Sequence, residues 1–379
     1  MASEQRARAG DEAVEFIRPL AMFAALIVSF TGCTARAAAP IGQLHVPPGF
    51  TISIVSSKVP SARFLAVAPN GDVLVSELSR DRVVAIPPQS APDAEPKVVI
   101  SGLPLAHGLA FHGDDLYVAS WSGVTRLHYP PAQGTPHETL FSDMPEGGVH
   151  PHRALAIAAD GTIFVSSGST CNVCAETDPR FATVLRYDAD GGSGRIYASG
   201  LRNASGLAFD DSGKLWAVVN GRDNIGDDLP PDEVDQIVDG GNYGWPYCYA
   251  GDGDRVPNPE YKDPSKCAGT QPSALNLQAH SAPLQITFYH GTQFPVRYRG
   301  ALFVAYHGSW NRSVKTGYKV VVVFFKNGRP DHVEDFATGW LNENQSVSGR
   351  PVGVAVGPDG SLYVSDDLSG AIYRVTYRP

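Results

Sequence analysis

Short apolar runs in pairs dominate the chain, each pair joined through a Gly-containing turn, and the arrangement recurs six times, at residues 64–77, 108–120, 154–167, 206–220, 284–307 and 353–366. Alternating Val, Leu, Phe and Tyr around Asn-Gly, Asp-Gly or Ser-Gly is the pattern of two half-buried strands meeting in a tight hairpin. A third strand-like run follows most copies, at 81–87, 123–129, 183–189, 232–239, 318–325 and 371–377. A fourth, weaker run would complete each unit. The turn glycines Gly71, Gly113, Gly161, Gly213, Gly300 and Gly360 mark a period on the order of 40–60 residues, with a longer interval between the fourth and fifth, which fits propeller blades. The reading is an all-β, six-bladed β-propeller over residues 41–379; a sandwich of unrelated hairpins is the alternative, and it does not call for six similar units. No long segment with helical periodicity appears after residue 40.

Residues 1–40 read differently. Arg6, Arg8 and Arg18 precede the apolar stretch 20–30, which is too short to cross a bilayer and the length of a signal h-region. Two cleavage sites compete: Ala35-Arg36-Ala37, or a lipobox-like Phe-Thr-Gly-Cys ending at Cys33. The expectation is a periplasmic protein, with membrane attachment only through a lipid on Cys33. With Cys33 removed or lipidated, Cys171, Cys174, Cys248 and Cys267 form an even set in an oxidising compartment. Two disulfides are expected, and the local pairing 171–174 with 248–267 needs the least chain rearrangement. The second bridge would staple a surface insertion at 244–283.

Composition narrows the functions. A hydrophobic content of 43% over 379 residues supports a large core, and 18% charged residues is too few for a disordered chain. A formal charge of −9 without a long basic run excludes nucleic acid as partner. In a propeller the residues just before each inner strand and just after each second strand converge on one mouth. Here those positions hold Arg63, His107, His150, His152, Arg153, Arg202, Asn203, His280 and Arg350, then Glu77, Trp121, Asn220, His307, Asp366 and Asp367. Such a concentration of His and Arg in an acidic chain reads as a basic pocket for a compact polyanionic small molecule.

The segments GGVHPHRALAI (147–157), GLRNASGLAFD (200–210), NGRDNIGDDLPPDEVDQIVDGGNYGWPYC (220–248), HGSWNR (307–312) and GRPVGVAVGPDGSLYVSDD (349–367) resemble the pyrroloquinoline-quinone (PQQ)-dependent soluble sugar dehydrogenases of the glucose/sorbosone dehydrogenase family. The resemblance implies a six-bladed propeller holding PQQ and Ca2+ over the channel mouth and oxidising an aldose, or a sorbosone-like aldehyde, at the anomeric carbon. A small sugar would be the substrate and an external quinone or cytochrome the electron acceptor. His150 falls on the family's catalytic base, in preference to His152, and an imidazole suits proton removal near neutral pH. Arg202, with Asn203, falls beside the quinone carbonyl, where a fixed cation would stabilise developing charge. Gly221 and Arg222 fall on the backbone carbonyls that hold calcium, His107 over the cofactor, and Arg350 on its carboxylate, a pairing for which a guanidinium is suited. Where the glucose-oxidising branch has a lysine, His307, Arg312 and Lys315 are alternatives, with Arg312 assigned to the cofactor. Val352 stands where that branch has a second arginine. These departures point to the sorbosone or aldose branch. Two other classes stand against this reading: a metal-dependent lactonase or esterase on a six-bladed propeller, and a non-catalytic binding propeller.

Overall fold

Each predicted hairpin becomes the inner half of a twisted antiparallel sheet, and six such sheets surround one channel in the computed structural model, which describes residues 38–132 and 136–379. The inner strands are Ala62–Val67, Leu109–His112, Leu155–Ile157, Ala204–Phe209, Pro283–Phe288 and Pro351–Val356, which define blades 1 to 6. Side chains from all six line a central channel with a cavity of about 280 Å³. The segment 1–37, with Cys33 and the expected signal, lies outside the described residues.

The fourth strands come from places the periodicity did not mark. Blades 1, 2, 3 and 5 take Lys97–Ser101, Glu138–Phe141, Arg195–Ser199 and Arg329–Ala337. Blade 4 takes Leu275–Leu277, so part of the expected insertion 244–283 is blade. Blade 6 takes the amino-terminal Phe50–Ser56, which pairs antiparallel with Ala371–Tyr377 from Phe50 opposite Tyr377. That strand alternates buried and exposed positions, as an outermost strand does.

Alternation along the second and third strands sends side chains into the gaps between blades. Six apolar clusters result. Between blades 4 and 5, for example, Trp216, Val218, Ile286, Val304 and Val321 pack together; burial of each such side chain stabilises by about 1.5–3 kcal/mol. Closer to the channel the blades meet through backbone. A Cβ on Gly108, Gly206 or Gly353 would stand 2.6, 2.1 or 2.7 Å from the carbonyl oxygen of Arg153, Leu284 or Arg63 in a neighbouring blade. Only a residue without a side chain admits that approach. Serine hydroxyls bridge the same seams: Ser76 donates to the His107 carbonyl at 2.8 Å and Ser365 to that of Arg63. The backbones of two mouth residues are thereby fixed.

Both disulfides are present, Cys171–Cys174 and Cys248–Cys267. The second closes the loop that carries the short hairpin Cys248–Ala250 and Arg255–Pro257. Beneath it, Arg255 is buried against Glu233 at 2.8 Å, with Asp235 beside them.

Candidate functional site at the channel mouth

Residues that are far apart in the chain meet at one end of the channel. Arg63 of blade 1 donates to Asp367 of blade 6 at 2.9 Å, and Arg350 donates to the other oxygen of the same carboxylate at 2.9 Å. His307 of blade 5 sits 3.0 Å from Asp367. Asp367 is thus the shared counter-charge of the mouth. Burial works against its ionised form, but His307, Arg63 and Arg350 hold it well below the usual carboxylate range. The Arg63 guanidinium also reaches His107 Nε2 at 3.4 Å, while His107 Nδ1 lies 3.2 Å from the Arg153 carbonyl. A carbonyl only accepts, so Nδ1 carries the proton and Nε2 receives the guanidinium N–H. His107 stacks on His152 with ring centroids 4.9 Å apart and planes 17° apart.

Beside this cluster a cavity of about 190 Å³ is lined by His150, Arg202, Asp223, Asp232, His280 and Trp310, among others. His150 stands on the loop entering blade 3, its Nδ1 3.0 Å from Ser169 Oγ. Arg202 enters blade 4 with every guanidinium nitrogen engaged: Nε to the Asn172 carbonyl at 3.1 Å, Nη1 to the Gly221 carbonyl at 2.7 Å, Nη2 to Asn172 Oδ1 at 3.0 Å and to Asp223 at 2.8 Å. Asn203 donates to Asn220 Oδ1 at 2.9 Å, and Asn220 in turn donates to the Pro283 carbonyl. The carboxylate of Asp232 accepts from the backbone N–H of Gly221 and of Ala282 at 2.9 and 3.1 Å. Burial pushes its pKa up to about 7.

Of the histidines and arginines expected to make the pocket basic together, the arginines alone carry the charge. His150 is drawn down to about 3 by burial and the Arg202 guanidinium, and His152 to about 3 by burial and Arg63. His107 and His307 are lowered too, first by burial. These imidazoles are neutral at pH 7, because desolvation and nearby cations disfavour a second positive charge. The positive charge comes from Arg63, Arg202 and Arg350, partly offset by Asp367 and Asp223.

The other mouth candidates have partners of their own. Arg312 donates to the carbonyls of Asp227 and Ala279 and to the Asp228 carboxylate, clamping the 226–229 loop. Lys315 donates to the Gln345 carbonyl at 2.8 Å. Arg222 is buried, its guanidinium turned toward Asn258 and Glu260. Glu77 is buried against Arg82 and Arg80, Arg153 is satisfied by Trp121, Ser167 and Pro145, and Asp366 caps the turn at Leu368–Ser369. Trp245 is buried and donates to the Asn172 carbonyl at 3.1 Å, whereas Trp310 is 75% exposed at the cavity. Sequence reasoning gave no role to Ser169, Asn172 or Asn311. Only contacts across blades reveal them, as when Asn311 donates to Asp223 at 2.7 Å.

The residues present fit a flat anionic quinone. Arginines from blades 1, 4 and 6 face one mouth, and Arg63 Nε is buried there without a partner. For calcium the donors are oxygens, as a hard cation requires. The Gly221 carbonyl gives one lone pair to Arg202 and keeps a second, with the Asp223 carboxylate alongside.

Comparison with known proteins agrees with this architecture. A pyrroloquinoline quinone-dependent pyranose dehydrogenase of Coprinopsis cinerea is 28% identical over 423 residues, covering 92% of this chain and 56% of that protein; the chain thus spans little more than half the length of this relative. The holo PQQ domain of pyranose dehydrogenase from the same organism superposes with a TM-score of 0.77 at 26% identity, covering 91% of this chain and 99% of that one. The PQQ-bound aldose sugar dehydrogenase of Streptomyces coelicolor shares the fold, with a TM-score of 0.62 at 19% identity over 88% of this chain and all of its own. The family model described as TrAA12-like matches residues 44–378, the whole propeller, and the chain belongs to that family.

Proposed function

We propose that this propeller is a PQQ-dependent sugar dehydrogenase that oxidises an aldose or a sorbosone-like aldehyde at its anomeric carbon, with calcium at the cofactor and an external quinone or cytochrome as final acceptor. The carrying observation is a neutral imidazole, His150, lining a cavity with Arg202, next to the arginine cluster of Arg63 and Arg350. PQQ, when bound, supplies the hydride acceptor. His150 takes the proton of the anomeric hydroxyl, which its neutral form allows. Arg202 holds a fixed cation at the cavity wall, and Arg63 and Arg350 offer planar forks suited to carboxylates. Gly221, Arg222 and Asp223 would supply oxygens to calcium. The two disulfides and the 1–40 segment support export to the periplasm.

A hydrolase would need carboxylates from several blades aimed into the channel. Glu77, Asp366 and Asp367 are the candidates, and each is engaged by arginine or by a turn. The test is reconstitution: purified protein should gain dye-linked aldose oxidation only with PQQ and calcium together, and lose it with a chelator. Sugar oxidation with a nicotinamide cofactor, or lactone hydrolysis without quinone, would overturn the assignment.

A further inference from the structure

Between His150 and Arg202 runs a short loop, Ser169 to Glu176, closed by the Cys171–Cys174 disulfide. Glu176 accepts from the backbone N–H and the hydroxyl of Thr170 at 2.8 and 2.7 Å, and Ser169 N–H donates to the Arg202 carbonyl at 2.8 Å. The His150 loop is pressed against it. A Cβ on Gly148 would lie 2.6 Å from Thr170 Cα, and one on Gly168 would lie 2.5 Å from His150 Cβ.

The loop reaches both predicted reacting groups through hydrogen bonds of defined direction. Ser169 Oγ donates its single proton to the Cys171 carbonyl at 2.7 Å. Toward His150 it can therefore only accept, so His150 Nδ1, 3.0 Å away, carries the ring proton and Nε2 keeps the free lone pair. Asn172, held between the two cysteines, accepts from Arg202 at both its backbone carbonyl and Oδ1. The same Oδ1 accepts the Asp223 N–H at 2.8 Å, and Nδ2 donates to the Asp223 carbonyl at 3.2 Å.

We propose that this disulfide-closed loop is a positioning element of the site, in which the Cys171 carbonyl acts through Ser169 to set the tautomer of His150, and Asn172 fixes the Arg202 guanidinium against Asp223. The proposal rests on the dehydrogenase reading for its kinetic consequence but not for its structural one. Neither Ser169 nor Asn172 is a catalytic residue. Each acts through another.

The test pairs a spectroscopic readout on cofactor-free protein with kinetics. Nitrogen-15 shifts of His150 should report the Nδ1–H form in the parent and in Ser169→Thr, and a mixture of tautomers in Ser169→Ala. Turnover of Ser169→Ala should fall on the order of tenfold, the worth of one neutral hydrogen bond, with KM and PQQ affinity within about twofold; Ser169→Thr should restore it. Asn172→Ala should instead weaken PQQ binding, read by titration, on the order of tenfold. Replacing both cysteines, Cys171→Ser with Cys174→Ser, should produce both changes at once. An unchanged His150 tautomer in Ser169→Ala, or unchanged PQQ affinity in Asn172→Ala, overturns the proposal. If the tautomer shifts as expected while no variant, nor the parent, binds PQQ, the dehydrogenase reading fails and the positioning loop stands.

Discussion

Replacing Asp367 by Asn removes one negative charge from the centre of three donors without changing the shape of the side chain. Asp367 is 11% exposed and Arg63 9% exposed, so neither gains much water when the pair is broken. Removing one partner of a buried pair costs about 3–5 kcal/mol. The asparagine oxygen still accepts one hydrogen bond and Arg350 can turn toward solvent, which puts the expected loss near the bottom of that range, about 3 kcal/mol. At roughly 2 °C per kcal/mol for a domain of this size, Tm should fall by about 6 °C in a thermal melt of cofactor-free protein. Asp228→Asn is the control: that carboxylate pairs with Arg312 but is 87% exposed, and its loss should move Tm by no more than about 1 °C. Saturating PQQ should then raise the Tm of Asp367→Asn by more than that of the parent, because Arg63 and Arg350, released from Asp367, gain carboxylate partners. A melting temperature for Asp367→Asn within 1 °C of the parent would refute the idea that this residue neutralises the mouth.

Three further outcomes follow from the same geometry. His150→Ala should lower turnover by about 10²–10⁴ with PQQ affinity within a few-fold, whereas Arg202→Ala should weaken both cofactor binding and turnover; near-normal turnover in His150→Ala with loss in His152→Ala would transfer the base to His152. Gly168→Ala would set a methyl 2.5 Å from His150 Cβ, and since a displacement near 1 Å can cost on the order of 10² in rate, steady-state turnover should drop far more than PQQ affinity; parent-like kinetics would show that the loop yields freely. Stability of cofactor-free protein should decline as pH falls below about 6.5, because the unfolded histidines take up protons that folded His107, His150, His152 and His307 resist. The slope is about 1.4 kcal/mol per pH unit for each proton so excluded, and denaturant melts between pH 7 and 5 that gave constant stability would contradict neutral, buried imidazoles.

The blade repeat was legible because its physics is local. Alternating apolar residues and a turn glycine specify a hairpin within about a dozen residues, and Gly108, Gly206 and Gly353, the glycines of close blade-to-blade approach, sit at or inside those same runs. The arginines and histidines of the mouth were legible by position, once the repeat aligned them. What each one does was not. His107 and His307 look like cations in a sequence; burial makes them neutral. Asp366 and Asp367 are adjacent and alike, yet one caps a turn and the other meets Arg63, a residue 304 positions away. Asn172 lay hidden inside a Cys-x-x-Cys motif whose evident meaning was the disulfide. The outermost strand of blade 6 came from the opposite end of the propeller, and nothing in 50–56 names its partner.

That last pairing sets the order in which the protein can mature. Phe50–Ser56 and Ala371–Tyr377 are the two ends of the propeller and pair within blade 6, and the Arg63–Asp367 bond joins that blade to blade 1. A chain still emerging from a ribosome or a translocation pore has blade 1 with Arg63 but lacks Arg350 and Asp367. It has no mouth. The arginine cluster of the mouth is therefore completed last, and a chain cut short at blade 5 leaves Arg63 without Asp367 and Phe50–Ser56 without the strand it pairs with. Ring closure is in that sense the last construction step of the mouth, since Arg63 meets Asp367 only when blade 6 stands beside blade 1.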